Sequence, residues 1–179
     1  KLTGTGGTAA PGLYALKIDT NLVKKLSQKI QLGSIVISGT NGKTTTARLT
    51  ADILSSKFKI IHNRQGSNLL RGIASTLISQ SSLSGQIGSN LAIWEVDEAT
   101  LSDAIAHTKP KIIALLNLFR DQLDRYGEVD SVRAKWQKAL SKINQDTTLI
   151  LNSDDPGISI LAKEFKGKVV YFGVEDEKL

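Results

Sequence analysis

From Ser34 onward the chain alternates short apolar runs with segments of helical period. Runs of strand length fall at Ile35–Ile37, Lys59–Ile61, Leu91–Trp94, Ile112–Leu116, Leu149–Leu151 and Val169–Phe172. Between them, apolar residues recur at helical spacing over Thr45–Ser55, Leu69–Ser79, Leu101–His107, Val132–Ile143 and Ile158–Phe165. A near-continuous apolar strand is buried on both faces, so this pattern predicts a parallel sheet covered by helices. Strand and helix in alternation imply right-handed crossovers and a doubly wound α/β fold: a mainly parallel sheet with helices on both faces. In such sheets ligands bind beyond the carboxyl ends of the strands, which says where to look for chemistry.

Residues 1–33 read as a lead-in to that domain, which itself spans 34–179. The Gly-rich stretch through Pro11-Gly12 holds too few apolar residues to pack as an element, and no strand precedes its glycines. It is therefore expected to be a flexible linker rather than a nucleotide loop. A short helix is predicted over Asn21–Ile30, with Leu22, Leu26 and Ile30 on one face.

The strand at Ile35–Ile37 runs into Ser38-Gly39-Thr40-Asn41-Gly42-Lys43-Thr44-Thr45 and then into a helix. Gly39 and Gly42 permit backbone conformations closed to residues with a Cβ and let the chain approach phosphates closely. Consecutive N–H groups at the helix N-terminus present partial positive charge to a polyphosphate. Lys43 adds a full charge at the outer phosphates, and the Thr44 hydroxyl can ligate Mg2+. The bland alternative, a Gly-containing turn with a capping Thr, does not account for Gly-Lys-Thr at a strand-to-helix junction. The commonest phosphate-loop spacing wants Gly where Ile37 stands. Here the glycines are three apart, which disfavours ordinary GTPases and motor ATPases.

A later strand ends in Trp94-Glu95-Val96-Asp97-Glu98. Strand alternation sends Glu95 and Asp97 to one side. A carboxylate there is placed to hold Mg2+, which makes Glu95 the candidate ligand. Glu98 fits better as an acidic first turn of the next helix, stabilised by its dipole. The following strand ends in Asn117-Leu118-Phe119-Arg120-Asp121-Gln122-Leu123-Asp124-Arg125-Tyr126-Gly127-Glu128. Asn117 and Gln122 offer neutral oxygens, Asp121 and Asp124 charged ones, and Arg120 a phosphate fork. Surface ion pairing among Arg120, Asp121, Asp124 and Arg125 is the competing account. Asn152-Ser153-Asp154-Asp155-Pro156 reads as a strand-end turn that caps a helix. His62 and His107 lack partner spacing for a metal or a triad and read as structural; Trp94 and Trp136 read as core.

Composition narrows the classes. The 179 residues contain no Cys, which excludes disulfides, thiolate metal sites and a cysteine nucleophile within this chain. The net charge of +6 suits an anionic substrate or membrane surface. Basic residues are scattered, with no run longer than Lys24-Lys25, so nucleic acid is not indicated. No apolar stretch approaches the about 18 residues of a membrane span, and no signal peptide is visible. There is no Met, an initiator included, so the sequence is expected to be part of a longer reading frame.

Gly39-Thr40-Asn41-Gly42-Lys43-Thr44-Thr45 resembles the ATP loop of the Mur ligase superfamily, enzymes that couple ATP to amide formation in peptidoglycan and folate metabolism. Within it, Pro11-Gly12 with Ala15–Asp19, Glu95–Glu98 and Asn117–Glu128 resemble the ATP-dependent subunits of lipid II isoglutaminyl synthases. Most Mur ligases carry Asp-His where this chain has Asp121-Gln122, and that His helps hold a second Mg2+. The resemblance makes Lys43 and Glu95 the catalytic pair. It gives Thr44, Glu95 and Gln122 to metal, and Gly39 to Thr45, Asn117 and Arg120 to the nucleotide. It implies Mg2+ and ATP as cofactors, and amidation of the D-glutamate α-carboxylate of lipid II through an acyl phosphate. Ammonia would come from a GatD-type glutaminase partner, in the cytoplasm and peripherally at the inner membrane face. It also implies a Zn2+ ribbon and a C-terminal domain beyond these residues, so the stretch is expected to be inactive alone. The family often uses a carbamoylated Lys as a metal bridge; Lys135 lies near that place but reads better as an ordinary exposed helix residue. The alternatives are another Mur-type amino-acid ligase such as a folylpolyglutamate synthase, against which Gln122 argues, and a non-catalytic nucleotide-binding scaffold.

Overall fold

The computed structural model describes residues 9–64, 67–119 and 128–174. Six strands form one all-parallel sheet in the order β2-β3-β1-β4-β5-β6. They are β1 (Ser34–Ser38), β2 (Ile60–His62), β3 (Leu91–Glu95), β4 (Ile112–Leu115), β5 (Thr148–Asn152) and β6 (Lys168–Phe172). The helices are α1 (Ala10–Ile18), α2 (Leu22–Ser27), α3 (Lys43–Leu54), α4 (Leu70–Gln80), α5 (Leu101–Thr108), α6 (Glu128–Leu140) and the short α7 (Pro156–Ser159). The doubly wound α/β fold and every predicted strand are present.

Topology decides which face each helix covers. The β1-to-β2 crossover runs outward in one direction; every later crossover runs the other way. A right-handed connection therefore puts α3 on one face and α4 to α7 on the other. The two cores follow suit. On one face Val36, Ala92, Trp94, Ile113, Leu115 and Leu149 pack against residues of α2, α4, α5 and α6. On the opposite face Ile35, Ile37, Leu91 and Ile93 meet Ala47 and Ala51 of α3, with Leu54 and Phe58 packed alongside. Those two small residues let α3 lie close to the strands. Toward β6 that second face has little cover: Ile112 and Ile150 are half-buried, while Val170 and Phe172 are about 40% exposed.

The lead-in departs from expectation. Residues 9–12 are not linker: α1 begins at Ala10, with Pro11 in its first turn, and packs along α4. Gly12 makes that contact possible, since a Cβ there would lie 2.0 Å from the Arg71 carbonyl oxygen. The Gly12 N–H donates to Ser75 Oγ at 2.8 Å. The helix predicted over Asn21–Ile30 is shorter, Leu22–Ser27, and buries Val23 and Leu26, while Ile30 is buried in the turn that follows. The helix predicted over Ile158–Phe165 is a single α turn followed by a 3-10 turn, Ile160–Glu164.

Candidate functional site

Beyond the carboxyl ends of β1, β3 and β4 the chain builds one crevice. The loop after β1 carries two glycines at positive φ, Gly39 at 147° and Gly42 at 82°. Gly39 is also pressed against the next strand, where a Cβ would come within 3.0 Å of the Asn117 backbone. Asn117 holds the loop in shape. Its carbonyl accepts from Thr40 N–H at 3.0 Å, its Oδ1 from Asn41 N–H at 2.8 Å, and its Nδ2 donates to the Asn41 carbonyl at 3.1 Å. The Phe119 N–H donates to Thr40 Oγ1 at 3.0 Å. The structure thus places the Asn117 side chain on the loop's backbone and the Thr40 hydroxyl on the backbone of Phe119.

The loop delivers the chain into α3 with Gly42 as N-cap. The N–H groups of Lys43, Thr44 and Thr45 open that helix and have no acceptor within it. The Lys43 ammonium folds back over the loop, donating to the carbonyls of Gly39 and Thr40 and pairing with Glu98 Oε2 at 3.4 Å. Glu98 therefore belongs to the site as well as to the turn expected for it. Trp136, fully buried on α6, donates from Nε1 to the Glu98 carbonyl at 2.8 Å and fixes that turn.

Glu95 ends β3 with 4% exposure and faces α3. Thr44 Oγ1 donates to its Oε1 at 2.6 Å, and Asn68 Nδ2 donates to the same oxygen at 2.9 Å. No basic side chain neutralises it in an ion pair among the described residues. Its backbone is gripped by Asn63, whose Nδ2 donates to the Glu95 carbonyl at 2.8 Å and whose Oδ1 accepts from the Glu95 N–H at 2.9 Å. Asn63 lies just past β2 and copies a strand's ladder bonds with its side chain.

Neither Asn63 nor Asn68 was predicted. Both follow the rule that pointed to Glu95, polar residues just beyond strand ends, but neutral amides give no charge signal. Asp155 caps α7 as expected, accepting from Gly157 N–H at 2.9 Å, and its other oxygen accepts from Leu118 N–H at 2.9 Å. Arg120 and Gln122 lie outside the described residues, as do Asp121, Asp124 and Arg125. Lys135 is exposed on α6 and lines a cleft between α5 and α6. His107 Nδ1 contacts the Asp103 carbonyl of its own helix at 2.8 Å. His62 has two buried ring nitrogens with no hydrogen-bond partner among the described residues, and burial, followed by the nearby Arg64, lowers its pKa.

This arrangement fits a polyphosphate carrying Mg2+. The glycines leave room for close approach, and the first N–H groups of α3 face outward. Thr44 and Glu95 bring a hydroxyl and a carboxylate oxygen to one point. Mg2+ commonly takes one or two protein oxygens and completes its shell with water and phosphate.

A family model described as the Mur ligase middle domain matches residues 37–179. The chain is 37% identical over 176 residues to the Staphylococcus aureus (strain COL) lipid II isoglutaminyl synthase (glutamine-hydrolyzing) subunit MurT. That alignment covers 98% of this chain and 38% of the relative. It is 34% identical over 173 residues to the Streptococcus pneumoniae R6 subunit of the same name, covering 96% of this chain and 37% of the relative. The chain thus spans under two-fifths of the length of these relatives. Among solved structures, the fold is similar to the Thermotoga maritima MurF ligase in complex with ADP. The TM-score is 0.70 at 18% identity, covering 88% of this chain and 37% of that one.

Proposed function

The chain belongs to the Mur ligase family through its middle domain, and on that premise we propose that it is the ATP-binding core of an enzyme amidating the D-glutamate α-carboxylate of the lipid II stem peptide. The observation that carries this reading is the meeting of Thr44 Oγ1 and Glu95 Oε1 at 2.6 Å beside a two-glycine loop and Lys43. The substrate class rests on the likeness to the MurT subunits.

ATP with Mg2+ supplies the transferable phosphoryl group and part of the charge neutralisation. The first N–H groups of α3 bind the phosphates, and Thr44 and Glu95 hold the ion. Asn68 and Asn63 keep the Glu95 carboxylate aimed at that point. Lys43 leaves its carbonyl partners and Glu98 to lie along the outer phosphates, where charge builds up as two anions meet. The substrate carboxylate oxygen bonds to the terminal phosphorus as ADP departs. Ammonia then attacks the acyl carbon, inorganic phosphate leaves, and the nitrogen sheds a proton. A GatD-type glutaminase supplies the ammonia, since this chain holds no Cys for that chemistry. By likeness to the family, Arg120 is assigned to the phosphates and Gln122 to the metal. The reaction takes place in the cytoplasm, where ATP is available, at the inner face of the membrane that carries lipid II.

The test is to incubate the intact protein with its glutaminase, lipid II, glutamine, ATP and Mg2+, and to examine the stem peptide by mass spectrometry. Amidated peptide, lost in Lys43→Ala together with calorimetric ATP binding, is the expected result. ATP binding without amidation, or addition of an amino acid in place of ammonia, would overturn the substrate assignment. A folded Lys43→Ala protein with unchanged ATP affinity would overturn the site.

A further inference from the structure

A second concave surface lies on the sheet face that carries α4 to α7. It is a cleft of about 940 Å3 between α5 and α6, closed at one end by the turns that lead into β4 and β5. Those turns precede parallel strands, whereas the phosphate loop follows one; the other end of the cleft, at Ala99 and Ser102, lies beside the Glu98 turn of the crevice. Its rim carries Lys109, Lys111, Lys135, Lys138 and Lys142, against Asp103 and Asp146. All five lysines are exposed, and none forms an ion pair among the described residues. Asp146 is already engaged, accepting from Asn144 Nδ2 at 3.0 Å. The floor is apolar: Ile105, Ala106, Ala139 and Ile143.

We propose that this cleft docks an acidic amphipathic helix of a partner protein. The charge is drawn out rather than focused. Lys135, Lys138 and Lys142 succeed one another at helical spacing along α6 and the turn after it, over about 10 Å. A compact anion would use two or three convergent cations and gain nothing from an apolar floor. A membrane surface is flat and would meet the rim alone, leaving Ala106 and Ala139 uncovered. An amphipathic helix fits both features at once: aliphatic side chains at i, i+3 and i+4 enter the groove, and flanking carboxylates reach the lysines. Unpaired rim charges of one sign steer such a partner and set its register.

The probe is a fluorescein-labelled peptide of about 18 residues, long enough to hold helix, with Glu on one face and Leu on the other. A scrambled peptide of the same composition is the control. Anisotropy with the intact protein is expected to show binding that weakens with salt and is about tenfold tighter than for the control. The double variant Lys138→Glu, Lys142→Glu is expected to lose at least about tenfold in peptide affinity while ATP affinity stays unchanged. Ala139→Leu, which fills the floor without touching charge, should weaken the same peptide. Equal affinity for the scrambled peptide would reduce the cleft to a diffuse charge effect and overturn the proposal. Unchanged affinity in both variants would place the peptide elsewhere and also overturn it. Phosphatidylglycerol vesicles bound more tightly than the peptide, and released by the same lysine reversals, would assign the surface to membrane instead.

Discussion

Replacing Asn63 by Ala removes the clamp on Glu95 without touching a charged group. Asn63 is 2% exposed, and its amide satisfies the N–H and the carbonyl of a residue that is itself 4% exposed. After truncation neither backbone group has a partner. An orphaned buried polar group costs about 1–3 kcal/mol, so the two together cost about 2–6 kcal/mol, with relaxation and entering water pulling toward the lower end. Against a domain stability of about 5–15 kcal/mol that is a large fraction. With a urea slope of about 2 kcal/mol/M, the unfolding midpoint should fall by about 1–3 M. Trp94 and Trp136 are both fully buried and report the transition by fluorescence. The clamp also fixes the backbone from which the Glu95 carboxylate projects. ATP affinity measured with Mg2+ should therefore drop more than affinity measured in EDTA. A midpoint shifted by less than about 0.3 M would refute the energetic argument. An equal loss of affinity with and without Mg2+ would refute the link to Glu95.

Three further outcomes follow from other contacts. Glu98→Gln removes the carboxylate that competes for Lys43; for a partly exposed pair this should raise ATP affinity by no more than about fivefold, as read by calorimetry. Gly12→Ala puts a Cβ 2.0 Å from the Arg71 carbonyl oxygen and 2.7 Å from Ser75 N. It should lift α1 from α4, raising amide exchange over Ala10–Ile18 while ATP binding holds. His62 has a folded pKa below its ordinary 6.5 because burial disfavours the cation, so the unfolded chain binds more protons. Its contribution is complete above about pH 6.5 and is lost as pH falls toward the folded value; His62→Gln should flatten urea stability across that interval.

The strands were legible because a parallel strand buried on both faces reads as an unbroken apolar run, and Ile112–Leu115 and Leu91–Glu95 are of that kind. The phosphate loop was legible because its chemistry is local: glycines, Lys43 and Thr44 lie within six residues. α1 was not, because Pro11 and Gly12 look like linker by composition. In the structure Pro11 sits in the first turn of the helix and Gly12 is where another backbone comes close. Pro156 and Gly157 likewise open α7, which gives way to a 3-10 turn after Ser159 although the later apolar spacing looks continuous. Asn63, Asn68 and the second role of Glu98 depend on contacts between residues 27 to 55 positions apart. Such pairings exist only after the sheet order is set, and no local pattern announces them.

The one-sided distribution of helices bears on how these residues behave at high concentration. β6 pairs only with β5 among the described elements, so its outer edge presents backbone donors and acceptors that could template another strand. Beside that edge Val170 and Phe172 stand exposed on the sparsely covered face, and Tyr171 is 51% exposed on the other. Only Lys168, at the start of the strand, acts as a gatekeeper against edge-to-edge stacking. Expressed as these 179 residues, the protein is expected to self-associate through β6 as concentration rises. Light scattering would detect this, and Val170→Lys on the bare face should suppress it without disturbing the phosphate loop, which follows β1 three strands away.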